Sequence, residues 1–277
     1  MKKLLALILA ALMVATFAAC SKEDEDKEDL KDYLQKDEVV DFVTNEKGET
    51  FYFDMIDSET VKITKYECGD DKHALVIPET LDGKTVVEIA EAAFRTCNAI
   101  TSISIPATVK TIGDYAFEGC QLLTEINIPA TVKTIGKSAF GGCTGVTAVS
   151  FAEGSTVSVI ESLTFQGCTS LASVTIPAHV KTVKQGAFIG CAALETVTVA
   201  NGVEVIEAQA FQNCTALATL TLPDSLTAIG DQAFSGSEAL YINGVTYSNG
   251  SVAEEYFAKP DHALTQKPAE DDSDAQT

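Results

Sequence analysis

The sequence contains no tryptophan and a single arginine, Arg95, among its 277 residues. Tryptophan and arginine, together with tyrosine, carry most of the energy at the centres of protein-binding surfaces. Recognition through a tryptophan or arginine anchor is therefore not predicted. We expect any binding by this chain to be weak or multivalent.

Basic residues as a whole are scarce. The chain has 19 lysine and arginine residues against 40 acidic ones, which gives a formal net charge of -21 at pH 7. This charge repels the phosphate backbone of nucleic acids and anionic lipid headgroups. We therefore expect no nucleic-acid partner.

Residues that could carry catalysis are also few. The three histidines, His73, His179 and His262, lie far apart in unrelated sequence contexts. The sequence has no G-x-S-x-G, H-E-x-x-H, phosphate-loop or dinucleotide motif. Its cysteines occur singly rather than as the C-x-x-C pairs typical of metal sites. We predict no enzyme, no cofactor and no metal site; an envelope enzyme would have to depend on His73 or His179.

The first twenty residues, MKKLLALILAALMVATFAAC, form a secretory signal. Two lysines precede an apolar run that is too short and wrongly flanked for a membrane span. The ending FAAC resembles the bacterial lipoprotein lipobox, with Phe17 where that motif usually has leucine. The resemblance implies cleavage after residue 19 and lipid attachment at Cys20, on the extracellular face of a bacterial membrane. The alternative is a secreted protein with an incidental cysteine.

Two segments are expected to be flexible. Residues 20–47, which begin SKEDEDKEDLKDYLQKDE after Cys20, are predicted to form an acidic tether. This composition cannot bury enough apolar surface to offset the entropy lost on ordering. Residues 260–277 are predicted to be a disordered tail.

Between these segments the chain repeats itself. Phenylalanines recur at steps of 23, 23, 25, 23, 23 and 23 residues, at Phe94, Phe117, Phe140, Phe165, Phe188, Phe211 and Phe234. A cysteine follows three residues after each of the first six, and Ser237 follows the seventh; the cysteines are Cys97, Cys120, Cys143, Cys168, Cys191 and Cys214. Such a repeat length predicts stacked coils that share one core, since a single coil cannot close one. Residues 75–240 are therefore predicted to be a solenoid of about seven coils.

Within each coil, a segment such as LTEINI at residues 123–128 predicts one short strand. Apolar and polar residues alternate there, and stacking places successive strands in a parallel sheet. Prolines end the strands, and Gly113, Gly136 and Gly230 are expected to permit the next bend. The "AF" segment crosses the opposite side as a short turn or 3₁₀ piece, because a helix of ordinary length does not fit. The fold class is a mainly-β repeat solenoid.

The repeat IP..V..IG..AF..C..L..I.IP resembles the BspA-like leucine-rich repeat family over about residues 75–240. The resemblance implies a leucine-rich solenoid with its parallel sheet on the concave face. It also implies a bacterial surface protein that adheres to host proteins, glycans or other cells. Two departures are an insertion at residues 152–158 and Ser237 in place of the last cysteine.

The ends of a solenoid need caps, because they expose core residues and strand edges. Residues 48–74 are predicted to form a β-hairpin cap, from the alternating pattern at residues 49–66. Residues 241–259 contain two Asn-Gly turns and a helical pattern from Ser251, and are predicted to form a short helical cap.

The regular cysteines allow two interpretations. Neighbouring coils bring their Cα atoms close enough for disulfides, but in-register side chains run parallel instead of pointing at one another. We favour a ladder of small, buried free thiols. Cys68, in the N-terminal cap, is predicted to be an isolated structural or free thiol.

The remaining candidate site is the solvent side of the predicted sheet. Its small polar residues form two columns, Ser102, Ser104, Asn127, Ser150, Ser173, Thr175, Thr196, Thr198, Thr219 and Thr221. One interpretation is a hydrogen-bonding platform for a glycan or an extended protein. The other is that serine and threonine are ordinary strand residues that keep the sheet soluble. A binding module and a structural spacer of the envelope both remain open.

Overall fold

The computed structural model describes residues 40–237 and the strands at 239–242 and 245–248. The signal sequence, Cys20, residues 20–39, the helical pattern from Ser251 and residues 260–277 lie outside the described residues. Over the described ranges the chain contains β-strands and turns but no helix, and none of it forms a helix able to cross a membrane.

Each coil contributes two short strands to two sides of the solenoid. The front strands are β4 (His73–Val76), β7 (Ile100–Ser104), β9 (Glu125–Ile128), β11 (Ala148–Phe151), β13 (Ser173–Ile176), β15 (Thr196–Val199), β17 (Thr219–Thr221) and β19 (Ala239–Ile242). The side strands are β6 (Lys84–Ile89), β8 (Thr111–Ile112), β10 (Thr134–Ile135), β12 (Val159–Ile160), β14 (Thr182–Val183), β16 (Val205–Ile206) and β18 (Ala228–Ile229). The sequence analysis anticipated the front strands from β7 to β17 and missed the side strands, which are mostly two residues long.

Parallel pairing between coils follows the sequence repeat. Thr175 of β13 lies opposite Thr198 of β15, which lies opposite Thr221 of β17. The predicted parallel solenoid of about seven turns is confirmed. Its front strands form three ladders rather than one, β4–β7, β9–β11 and β13–β15–β17–β19–β20, where β20 is Val245–Ser248. One interruption, between β11 and β13, coincides with the 25-residue step of the repeat and its insertion at residues 152–158.

The core is a column of stacked rings beside a column of thiols. The seven phenylalanines are buried, and consecutive ring centroids lie between 4.9 Å for Phe94–Phe117 and 5.7 Å for Phe140–Phe165. Cys120, Cys143, Cys168, Cys191 and Cys214 are buried free thiols. Each donates its S–H to the carbonyl of the phenylalanine one coil earlier, for example Cys143 to Phe117 at 3.2 Å. These bonds satisfy the thiols inside the core.

The glycines with a left-handed backbone are not the ones that the sequence analysis singled out, although a turn begins directly after each of those. The residue directly before the cysteine position has a left-handed backbone in every coil, and in five coils it is glycine: Gly119, Gly142, Gly167, Gly190 and Gly236. Glycine adopts this conformation without steric cost. Gly113, Gly136 and Gly230 do not have positive φ. A Cβ at Gly136 would instead lie 2.5 Å from the backbone nitrogen of Asp114, so this glycine allows adjacent coils to approach closely.

The N-terminal end of the core is covered by an antiparallel sheet. It consists of β1 (Asp41–Thr44), β2 (Thr50–Met55) and β3 (Thr60–Glu67), and β3 pairs in parallel with β6; β5 (Thr80–Leu81) pairs with β6 from its other side. Phe51, Phe53 and Tyr66 are buried on its inner side, and the ring of Tyr66 stacks on that of Phe94 at 5.2 Å. The predicted tether extended to residue 47, but β1 lies within it. Val43 packs against the core, and this apolar contact offsets part of the conformational entropy that the short strand loses on ordering.

One prediction about the cysteines is wrong. Cys68 and Cys97 form a disulfide, with Cα atoms 5.5 Å apart, so Cys68 is not isolated and Cys97 is not a free thiol of the ladder. The ladder argument considered only neighbouring coils, whose side chains run parallel. Cys68 instead follows β3 and approaches Cys97 from outside the repeat, where the two side chains can point at each other.

The five buried thiols should be chemically inert in the folded protein. Burial raises the pKa of the Cys120 and Cys214 thiols to about 12, and that of Cys168 well above the usual value. We expect alkylation at pH 8 to be slower by about two orders of magnitude or more in the folded chain than in urea. Mass spectrometry of a Cys20→Ser chain should find these five cysteines modified in urea without reductant. Cys68 and Cys97 should react only after reduction.

Modification of the same five cysteines in the folded chain at the rate seen in urea would contradict the buried ladder. Modification of Cys68 and Cys97 without reductant would contradict the disulfide.

Candidate binding face

The candidate site is the solvent side of the front strands from β7 to β17, here called the hydroxyl face. Inward residues such as Val174 and Ile176 are buried, while the residues between them point outward. This alternation follows from the two-residue period of a β-strand. Every predicted face residue is exposed except Thr196 and Thr198, which are half-buried.

The structure divides the ten predicted residues among the three ladders. The largest group lies on β13, β15 and β17 and contains Ser173, Thr175, Thr196, Thr198, Thr219 and Thr221. Asn127 and Ser150 lie opposite each other on β9 and β11, and the Ser150 hydroxyl donates to the Asn127 side chain. Ser102 and Ser104 lie on β7, beside β4.

The hydroxyls on β13, β15 and β17 differ in their hydrogen bonding from hydroxyls beside the face. Beside the face, Thr124 and Thr147 donate to backbone carbonyls of the preceding coil, at 3.1 and 3.2 Å, and so help to join the coils. The six hydroxyls on β13, β15 and β17 have no hydrogen-bond partner in the part of the chain that the structure describes. These six groups are therefore available to a ligand.

The same side of the molecule extends one strand further than the sequence analysis placed it. Ala74 and Val76 on β4 lie opposite Ser102 and Ser104, and the Val76 side chain is 58% exposed. Their sequence, HALVIP, carries the strand-ending proline of the later coils but lies before the first stacked phenylalanine. That shared proline was the signal that could have revealed this strand.

The two described histidines serve local structure. The Nε2 atom of His73 lies 2.9 Å from the Tyr66 hydroxyl, and its Nδ1 lies 2.7 Å from the Asp71 carbonyl. Burial raises the pKa of Tyr66 to about 12. The His179 ring meets Phe151 edge-on at 6.0 Å, and burial lowers the pKa of His179. No group of three or more metal-ligating side chains occurs within the described ranges.

Comparison with known sequences supports the repeat assignment. The sequence signature of the BspA type leucine-rich repeat region matches residues 75–191 and 152–261, with six copies. This family is defined by a repeat scaffold rather than by an enzymatic activity. No curated protein matches the chain significantly.

Several solved structures share the fold. A leucine-rich repeat protein of T. pallidum is 29% identical with a TM-score of 0.58, covering 72% of this chain and 87% of that one. A leucine-rich cell surface protein of Faecalibacterium prausnitzii A2-165 is 30% identical with a TM-score of 0.59, covering 77% and 59%. A leucine-rich repeat protein of Eubacterium ventriosum is 26% identical with a TM-score of 0.63, covering 76% and 56%.

The chain thus spans less than two thirds of the length of the last two relatives. The repeated phenylalanines and cysteines, the two parallel strands of each coil and the matching signature over more than half of the sequence agree with one another. The chain belongs to the BspA-type leucine-rich repeat family.

Proposed function

We propose that this protein is a lipid-anchored binding module of the bacterial cell surface, and that its hydroxyl face contacts a glycan or an extended protein segment. The observation that carries the proposal is the set of six hydroxyls on β13, β15 and β17 that have no hydrogen-bond partner among the described residues. Their backbone is held by a regular parallel ladder, so their positions are set before a ligand arrives. Pre-set donors and acceptors lower the entropy cost of binding.

The face lacks the anchors that usually give high affinity. Between β7 and β17 its outward residues are small, amide or acidic, with no aromatic or arginine side chain among them. Each contact is then a hydrogen bond of modest net value, about 0.5–1.5 kcal/mol. Useful affinity requires many such contacts along one long ligand, or several copies of the protein acting together.

Lysine substitution on the face tests the proposal. We expect the double variant Thr175→Lys, Thr198→Lys to lose at least about tenfold in affinity for a bound glycan or matrix protein, because it replaces two central hydroxyls with long charged side chains. The measurement is binding of the soluble Cys20→Ser chain to an array of extracellular-matrix proteins and glycans.

The matched control is Thr169→Lys, Ala192→Lys, which adds the same charge to the same two coils at exposed positions off the face. Equal loss in both variants would indicate a charge effect rather than a site. Undiminished binding of the face variant, with its circular dichroism unchanged, would disprove the role of the face.

The lipid anchor has its own test. The resemblance of FAAC to a lipobox and the secretory signal before it support lipid attachment at Cys20. Several acyl chains, at about 0.8 kcal/mol per buried methylene, hold a protein on a membrane. We expect the native chain to enter the detergent-rich phase on phase separation and the Cys20→Ser chain to stay in the aqueous phase. Equal partitioning of the two would refute the anchor.

A structural spacer of the cell envelope is the second candidate. The absence of aromatic or arginine anchors on the face favours it, since small hydroxyls also keep an exposed sheet soluble. If the protein is a spacer, we expect the parent chain to bind no matrix protein or glycan of the array. We also expect the envelope to tolerate lysine substitutions on the hydroxyl face.

A further inference from the structure

Among the strands that the structure describes, the first front strand, β4, pairs with a neighbour on one side alone. Its partner is β7, in a parallel ladder in which Ala74 faces Ser102 and Val76 faces Ser104. The peptide nitrogens of His73 and Ile77 donate to Ala99 and Ser104, at 2.9 and 3.0 Å. Odd-numbered residues of β4 therefore direct their backbone groups toward β7.

The even-numbered residues of β4 direct their backbone N–H and C=O groups away from β7, because these groups alternate between the two edges of a strand. The N–H and C=O groups of Ala74 and Val76 form this second edge. No strand pairs with it, and no backbone hydrogen bond reaches it from any residue that the structure describes. Buried backbone groups are nearly always paired, so these groups face solvent.

The open edge is also apolar. Val76 is the most exposed of the large hydrophobic side chains in the described ranges, at 58%, and Ala74 is exposed beside it. Proteins usually protect such an edge with a charged side chain, a bulge or a covering segment. The residues of β4 from Ala74 to Val76 have no charge.

Several contacts hold this strand in place. The Thr101 hydroxyl donates to the His73 carbonyl at 3.0 Å, and the His73 ring bridges Tyr66 and Asp71. The Cys68–Cys97 disulfide ties the preceding loop to the first coil. A strand that is already ordered accepts a partner at lower entropic cost.

The charges that flank β4 in the sequence favour a basic partner. Within residues 70–79, Asp70, Asp71 and Glu79 are exposed, and Lys72 is the one lysine of that stretch. A second copy of this chain would bring the same carboxylates and a formal charge of -21 to the contact, and would be repelled. An extended segment with lysine or arginine at its ends would be attracted.

We propose that the open edge of β4 receives an extended basic segment of another protein, which pairs with the backbone of Ala74 and Val76 as an added strand. Alternate side chains of the segment lie beside Val76, and its basic ends lie near Asp70, Asp71 and Glu79. Main-chain hydrogen bonds supply affinity in this mode of recognition, and the flanking charges supply selectivity. The proposal is independent of the role of the hydroxyl face.

The test uses the full chain and two labelled peptides, Lys-Val-Thr-Val-Thr-Val-Lys and its counterpart with glutamate at both ends. We expect fluorescence anisotropy to show at least tenfold tighter binding of the basic peptide, and the difference to shrink at high salt. Hydrogen exchange at the amides of Ala74 and Val76 should slow when the basic peptide is added.

Two variants distinguish the contribution of the Val76 backbone N–H to binding from that of its side chain. Val76→Pro removes the N–H on the open edge and leaves the bonds to β7 intact, so binding should weaken at least tenfold. Val76→Thr keeps the N–H and should bind within about threefold of the parent. If Val76→Pro fails to fold, hydrogen exchange at the amides of Ala74 and Val76 in the parent chain, with and without the basic peptide, still tests the proposal.

Three results would overturn the proposal. They are unchanged exchange at both amides with saturating basic peptide, equal binding of the two peptides, and a dimer of the chain that protects these amides without any peptide.

Discussion

Replacing Phe165 with alanine should lower the free energy of unfolding by about 3–5 kcal/mol, as expected for a buried phenylalanine in the middle of the ring column. Phe165 is fully buried, and its ring stacks between those of Phe140 and Phe188 at 5.7 and 5.2 Å. In a solenoid each coil contacts only its neighbours, so a cavity in a middle coil weakens two interfaces. Urea unfolding followed by circular dichroism measures the loss.

Phe234 provides the matched control. Among the described residues it is the last ring of the column, and Phe211 is the one described ring on which it stacks, at 5.5 Å. The alanine variant at Phe234 should therefore lose less stability than the variant at Phe165. A loss below about 1 kcal/mol at Phe165, or an equal loss at both positions, would show that the ring column does not join the coils.

Breaking the disulfide should have the second-largest effect. The variant Cys68→Ser is expected to lose about 3–4 kcal/mol, because the bridge closes a loop with a sequence separation of 29 and restricts the unfolded chain. The loss should concentrate in the N-terminal cap, whose Tyr66 and Phe51 cover the first coil. Hydrogen exchange should therefore speed up in β1, β2 and β3 before it does in the coils.

Serine at the exposed Cys68 position adds no polar side chain to the core, and the buried Cys97 thiol that it frees is a small, weakly polar group. Reductant should lower the unfolding midpoint of the parent chain and leave the midpoint of Cys68→Ser unchanged. A parent midpoint that is insensitive to complete reduction of the bridge would contradict a stabilising role.

The repeat could be predicted from sequence because its cause is local. Phe117 and Phe140 are 23 residues apart, and each coil must place one ring over the next. The coil count, the buried columns and the parallel front strands follow from that spacing. The side strands were missed because pairs such as Thr111–Ile112 and Thr134–Ile135 are too short to show a strand period.

The candidate face was predicted only in outline. Alternation within each strand identified the outward residues, including Thr175 and Thr198, because it depends on strand geometry alone. Their lack of hydrogen-bond partners could not be predicted, since Thr124 and Thr147 are the same residue type and are bonded to the preceding coil. That difference depends on which backbone carbonyl of the preceding coil lies near the hydroxyl.

The sequence by itself determined the stacking of coils, because the 23-residue period of apolar side chains has one way to bury them. The tertiary structure decided the pairing of Cys68 with Cys97, the ordering of β1 and the open edge of β4. Each of these depends on where the non-repeating N-terminal chain returns to the first coil. No periodicity constrains that path, so contacts between distant residues set it.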